Sequence, residues 1–296
     1  MDERLKPGKL RVRNHRVILN RSVGGDAGIT FFLSLLGAFM FLPMLYVIMQ
    51  SLKPLDELFV FPPRFIVIKP TLKNFKDLFI LMNDSWVPFS RYIFNTVFIT
   101  FCGTLGNLVL GSMAAYALAK IKFPGSKFIF TMIVTSLMFH STVNQVTHFI
   151  LLSSFRLIDS HLSIIVPALA GTLGLYLMKQ FMETAVSDSV LESARLDGAS
   201  EFRIYLTIAM PMVKPAWLTL IIESFKGLWN TGASIYIHSE QLKTFNYAIG
   251  QILAGGIARS GAGAASTVVM MLVPILVFVI NQSKIIETYG SSGMKD

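Results

Sequence analysis

The sequence predicts an all-α integral membrane protein with six transmembrane helices. Of its 296 residues, 53% are hydrophobic and only 15% are charged, with a mean hydropathy of +0.60. Soluble domains carry about 25% charged residues. Apolar runs of about 20 residues recur along the chain, each able to cross a hydrocarbon core of about 30 Å. Lysine and arginine are distributed unevenly between the loops that separate these runs, as expected where basic residues gather on the cytoplasmic side.

The first apolar run extends from about Ile29 to Met49, after Arg4, Lys6, Lys9, Arg11, Arg13, Arg16 and Arg21. It is longer than the apolar core of a signal peptide, about 7–15 residues, and polar Gln50-Ser51-Leu52-Lys53 follows it without a small-residue cleavage site. It is expected to be a retained helix whose N-terminal side is cytoplasmic. From Leu52 to Tyr92 the chain is polar and holds Pro54, Pro62, Pro63, Pro70 and Pro88. Proline fixes φ and donates no amide, so an external loop with short structured pieces is expected there.

The second span covers about Phe94 to Leu118, with Gly111, Ala115 and Ala119 at four-residue spacing, which permits close approach of a neighbouring helix. Lys120, Lys122 and Lys127 surround a Pro124-Gly125 turn before a third span, about Phe128 to Leu152. After Arg156 and Asp159 the fourth span, about Leu162 to Met178, contains Pro167, tolerable where neighbours satisfy the freed carbonyl. A charged cytoplasmic segment, Lys179 to Lys214, precedes a fifth span starting near Pro215. The sixth runs from about Ala264 to Asn281, and Gly232 to Gly263 forms a second external loop, with glycine at 255, 256, 261 and 263. This topology puts sixteen Lys and Arg on the cytoplasmic side and nine outside, with Lys226 inside a span and both termini cytoplasmic.

The net charge of +9 therefore reflects loop placement beside a lipid bilayer rather than a nucleic-acid surface. Cys102 is the single cysteine, so no intramolecular disulfide forms. His140 and His148 are eight apart with no H-E-x-x-H and no suitably placed carboxylate, which gives no metal site. Asn83-Asp84-Ser85 and Asn281-Gln282-Ser283 match the glycosylation pattern by chance. No G-x-x-x-x-G-K-[ST] phosphate cradle occurs, so the chain holds neither ATP nor magnesium of its own. A membrane enzyme would need a nucleophile–base or metal constellation that is absent.

The segment from Glu192-Ser193-Ala194-Arg195-Leu196-Asp197-Gly198-Ala199 through Ile208 and Met210-Pro211 to Pro215 reads as two short helices meeting at a corner. Ser189 and Glu192 have capping-box spacing and predict a helix starting at Ser189. Gly198 supplies a positive-φ corner. Ser200 caps the second helix, and Pro211 ends it. Such an element between two spans needs water or a protein partner.

Eight residues of this run, Glu192, Ala194, Asp197, Gly198, Ala199, Ile208, Pro211 and Pro215, fall on the fixed places of a known pattern. The run resembles the EAA motif of ABC importer permeases, with Ser193 and Met210 as small departures. Together with the six spans, Ser51-Leu52-Lys53-Pro54 and Trp229-Asn230, it resembles the MalG-type sugar permeases. The resemblance implies the MetI-like permease fold in the prokaryotic cell membrane. It also implies a second homologous permease subunit, an ABC ATPase dimer that carries ATP and magnesium, an extracytoplasmic solute-binding protein and a sugar substrate, an oligosaccharide by analogy. Glu192, Ala194, Arg195, Asp197, Gly198 and Ala199 would couple to the ATPase, with Glu192 meeting a basic residue and Gly198 shaping the corner. A permease for a non-sugar solute is the rival within the family. The implied organisation is a basic N-terminus (1–28), a permease domain (29–285) with its coupling segment (187–211), and a C-terminal tail (286–296).

Glu223 and Lys226 are the charged residues inside an apolar run. Lys226 lies about 16 Å along a helix from Pro215 at about 1.5 Å per residue, and a charge at mid-depth costs on the order of 3 kcal/mol. Two readings stand: a wet solute pathway, or mutual neutralisation of a pair three residues apart. Trp229 and Asn230 continue the stretch with an aromatic face and an amide suited to sugar hydroxyls, although a tryptophan near a membrane interface is also ordinary.

Overall fold

The computed structural model describes residues 23–83, 87–139, 141–232 and 234–292. The basic N-terminal residues 4–21, His140, and Asp84 and Ser85 of one glycosylation pattern lie outside them, as do the side chains of the other pattern at 281–283. The chain divides into two units, residues 1–46 and 47–296. The described part of the first is the greater share of one apolar helix, α1 (Val23–Leu52).

In the second unit a long connection carries α2 (Leu55–Leu58) and α3 (Lys73–Asn83), the short structured pieces the prolines predict. Polar groups withdrawn from water pin it. Lys53, 1% exposed, donates from Nζ to the Arg64 carbonyl. The Glu57 carboxylate accepts the Ile68 and Lys69 amides at 2.9 and 3.3 Å. Asn74 Nδ2 donates to the Ser51 and Lys53 carbonyls at 2.8 and 2.7 Å.

Next come α4 (Phe89–Lys120), α5 (Ser126–Ser136), α6 (Ser141–Ser154), α7 (Leu162–Leu169), α8 (Thr172–Ala185) and α9 (Asp188–Leu196). A continuous turn of helix follows: α10 (Glu201–Ile204), a π-helical stretch (Tyr205–Ala209) and α11 (Met210–Met212). The chain bends by 85° at Val213 into α12 (Lys214–Trp229), and α13 (Phe245–Ala254) and α14 (Ser260–Ser292) complete it. Among the described residues all regular structure is helical.

Among the described residues four helices are long and apolar enough to cross a membrane: Gly24–Leu52, Phe89–Lys120, Leu162–Ala185 and Ile257–Ile280. The fifth predicted span, α12, measures only about 24 Å at about 1.5 Å per residue and reaches span length only with its bent partner. The third predicted span is divided between α5 and α6, with a turn at Leu137–Phe139.

The fourth span is broken at Ala170-Gly171 rather than at Pro167. The break frees the Ala168 carbonyl, and Asn107 Nδ2 of α4 takes it at 2.5 Å. The second loop differs from its glycine-rich reading, because residues 245–254 form a helix. Phe245, Ile249 and Ile252 bury one face of it, and the Thr244 side chain accepts the Tyr247 amide at its start.

One core unites the C-terminal half of α4 with α8, α9, the π-helical stretch and the start of α12: Ala115, Tyr116, Met178, Met182, Leu191, Ile204, Tyr205, Ala209 and Leu220. Gly111, Ala115 and Ala119 do lie against these neighbours. Tighter approaches fall at glycines elsewhere. A Cβ on Gly171 would stand 2.2 Å from Asn107 Nδ2, and one on Gly103 would stand 2.5 Å from Leu228. Gly171→Ala must therefore displace the Asn107 amide from the Ala168 carbonyl. It should cost about 1–3 kcal/mol, seen as a lowered thermal midpoint in detergent. Gly111→Ala, whose Cβ would meet its neighbours at 3.8 Å, should be nearly neutral; an equal loss for both would refute the assignment.

Candidate functional site

The helix–corner–helix forms as the sequence predicts, with one correction. The N-cap of α9 is Ser187, not Ser189, and no side chain caps the helix. The Ser187 and Ser189 hydroxyls lie 3.1 Å apart. Their mutual contact replaces the capping box, and Glu192 is left exposed with no hydrogen bond or ion pair among the described residues.

Leu191, 1% exposed, anchors α9 in the core, and Ala194 and Ala199 pack half-buried against the same cluster. The corner is a C-terminal motif with Gly198 at φ +79°. The Ala199 amide reaches back to the Ala194 carbonyl and the Gly198 amide to that of Arg195, both at 3.0 Å. Ser200 then accepts the Arg203 amide and starts α10.

Across the corner, Arg195 Nε donates to Glu201 Oε1 at 2.6 Å. This ion pair was not foreseen, because Glu201 falls on a variable place of the motif. Asp197 is exposed as the C-cap. Leu196 is 89% exposed and Phe202 59%, leaving two apolar side chains outside the core on either side of Gly198. The visible signal for them was an apolar residue at the end of a helix that is otherwise charged on its outer face.

Pro211 offers no amide to the Thr207 carbonyl four residues earlier. The chain widens into the π turn just before it, and the Met210 amide bonds to Tyr205. The helix stops at Met212, where Pro211 was expected to end it.

Beside α9 a polar cleft of about 610 Å³ is lined by Lys120, Lys122, Pro124, Asp188, Glu192 and Arg195. Lys120 Nζ donates to Asp188 Oδ1 at 2.8 Å, and this hydrogen bond holds the Asp188 carboxyl below its ordinary range.

Of the four pathway candidates, the structure separates two from two. Glu223 and Lys226 are both exposed, and no ion pair joins them among the described residues. The mutual-neutralisation reading is not realised. Residues 223, 226, 227 and 230 are the exposed positions of the last two turns of α12, at the spacing of one helix face. Glu223 also lines a cleft of about 360 Å³ with Asn107, Ala168, Gly171, Thr172 and Gly174, at the break between α7 and α8. Trp229, by contrast, is a core residue. Its indole stacks on Phe225 at 5.7 Å and its Nε1 donates to the Met270 carbonyl at 3.1 Å. Asn230 turns its amide onto the Lys226 carbonyl at 2.9 Å and closes its own helix. The aromatic-platform reading of Trp229 is corrected by burial: at 7% exposure its ring is not open to a solute.

The described helices, with a helix–corner–helix between apolar spans, have the MetI-like permease fold. The chain belongs to the family of binding-protein-dependent transport system inner membrane components, whose model matches residues 107–287, more than half of it. Members are the membrane subunits of ABC importers and are not enzymes; they work with a separate ATPase and a binding protein.

The chain is 26% identical over 269 residues to the arabinooligosaccharides transport system permease protein AraQ of Bacillus subtilis, covering 90% of this chain and 95% of that one. It is 29% identical over 143 residues to the sn-glycerol-3-phosphate transport system permease protein UgpE of Shigella flexneri, about half of each chain (48% and 50%). Its fold matches a chain of a bacterial ABC transporter involved in the import of the acidic polysaccharide alginate, with a TM-score of 0.73 at 20% identity, over 89% of this chain and 98% of that one.

Proposed function

We propose that the chain is one of two homologous permease subunits enclosing the translocation pathway of a sugar importer, with an oligosaccharide as its solute. The family relationship is the foundation, and the near full-length likeness to an arabinooligosaccharide permease supports the substrate class. The observation that carries the coupling is the free Glu192 carboxylate, on a helix fixed by Leu191 and followed by exposed Leu196. Glu192, Ala194, Arg195, Asp197, Gly198 and Ala199 form the docking element, received in a cleft of a separate ATPase. A rigid helix with one unpaired charge and a protruding apolar side chain has the anatomy of an interface anchor. Glu192→Ala removes the charge without touching the core. It should strip the ATPase from the purified complex and lower uptake at least several-fold while the permease still folds. Full ATPase retention with normal uptake would end the docking role.

The same reading makes residues 187–211 cytoplasmic within a permease domain of 29–285, with both termini inside and the connections at 53–88 and 232–259 outside. The supporting observation is the distribution of lysine and arginine. In a Cys102→Ser background, cysteine at 122 should react with an impermeant thiol reagent only after permeabilisation, and cysteine at 73 or 243 in intact cells. Outside labelling at 122 inverts the topology.

The polar face of α12 supports Glu223 and Lys226 as pathway residues, since unpaired charges facing acyl chains would be too costly to keep. Without a mutual ion pair to break, Lys226→Met and Glu223→Gln should each accumulate normally yet change uptake rate or the ranking of a sugar panel. Wild-type uptake in the double variant would exclude both. A panel that includes glycerol phosphate tests the rival solute suggested by the shorter likeness to UgpE.

A further inference from the structure

The geometry points to a ladder of three side chains on α4, Ser112, Tyr116 and Lys120, as the element that carries movement of the docking segment into the membrane bundle. The three residues are spaced by four and share one face of the helix. Each bonds a different part of the docking segment. Lys120 Nζ donates to Asp188 Oδ1 at 2.8 Å, at the start of α9. Tyr116 OH donates to Glu201 Oε2 at 2.8 Å, at the start of α10. Tyr205 OH and Ser112 Oγ are 2.6 Å apart, inside the π turn. Since the Ser112 hydroxyl spends its proton on the Leu108 carbonyl at 2.5 Å, the Tyr205 hydroxyl is the donor.

These bonds are well placed to transmit force. Ser112 is fully buried, Tyr116 is 4% exposed, and the Lys120 side chain is 5% exposed, although its partner Asp188 is 79% exposed. The Tyr116 and Tyr205 rings meet at 5.7 Å between two of the rungs. Glu201 joins the middle rung to the corner itself, because the same carboxylate receives Arg195. A displacement of α9 or of the corner therefore moves α4 or breaks one of these bonds, and the innermost of them, between Ser112 and Tyr205, is buried, so that its loss leaves a desolvated group unpaired. The neighbouring stripe, Gly111, Ala115 and Ala119, lies one residue round the helix, where small side chains pack against α8 and α12. One helix thus touches the docking segment on one stripe and the moving bundle on the next. Nothing in the family pattern contains these residues, which lie 68 to 93 positions before their partners.

This inference rests on the docking role proposed above, and the test keeps the two apart. In proteoliposomes holding the complete transporter with its own ATPase and binding protein, the readouts are ATPase retained, ATP hydrolysed and sugar taken up per ATP. Ser112→Ala/Tyr116→Phe, which removes two hydroxyls and no carbon packing beyond them, should keep the ATPase bound and hydrolysing while sugar moved per ATP falls several-fold. Lys120→Asp should uncouple likewise, and adding Asp188→Lys should bring the ratio back towards wild type, which a mere loss of stability would not allow. A wild-type ratio in both the double hydroxyl variant and Lys120→Asp overturns the ladder. Loss of the ATPase from these variants also overturns it, because the stripe would then support docking rather than transmission. Failure of docking itself reads differently: Glu192→Ala would keep its ATPase whatever the ladder variants do.

Discussion

A polar group drawn away from water into a bilayer is costly unless it finds a partner within the protein, and several such partners meet on α4, although Asn95 Oδ1, Thr100 Oγ1 and Thr104 Oγ1 of the same helix are buried without one among the described residues. Asn95 Nδ2 ties down the Gln241 and Lys243 carbonyls at 2.8 and 2.9 Å. The Thr96 hydroxyl accepts the Phe245 amide at the start of α13. Asn107 completes the broken α7–α8 span, and Ser112, Tyr116 and Lys120 hold the segment that runs from α9 into the π turn. One helix thereby serves both ends of the bundle, packing directly on α7, α8, α12 and α13.

The same constraint explains the irregular features. A helix break at Ala170-Gly171 is tolerable because Asn107 fills the vacant hydrogen bond and Gly171 leaves room for it. The π turn before Pro211 is tolerable because its surroundings are the packed core of Ile204, Tyr205 and Ala209 rather than lipid.

How much of this was legible in the sequence depends on range. The corner at Gly198 and the cap at Ser200 are encoded within a few residues and were read correctly. The motif from Glu192 to Ala199 is contiguous and needs no tertiary knowledge. The Ser187 cap lies two residues from its expected place because two serines and an aspartate compete for that position. Residues 245–254 were passed over as loop because the glycines on their C-terminal side dominate the local composition, while the buried face of Phe245, Ile249 and Ile252 depends on α14 and α3. Trp229 looked like an available aromatic surface, and only the position of Met270, 41 residues later, shows its nitrogen to be taken. The rungs at Ser112, Tyr116 and Lys120 were illegible for the same reason: a serine, a tyrosine and a lysine announce nothing until their distant partners are known.

The right-angled bend at Val213 has a mechanical consequence. Residues 201–212 form an arm about 18 Å long at about 1.5 Å per residue, set at 85° to α12. An arm perpendicular to a shaft converts sideways push into rotation. Moving its far end by about 3 Å would turn the shaft by roughly 10°, with about 1.5 Å per residue again setting the scale. Such a turn would carry round the exposed side chains of Glu223 and Lys226. A crank of this kind needs no change of helix length or register, only a stiff elbow, and Val213, fully buried between two proline-bearing turns, is where that stiffness resides.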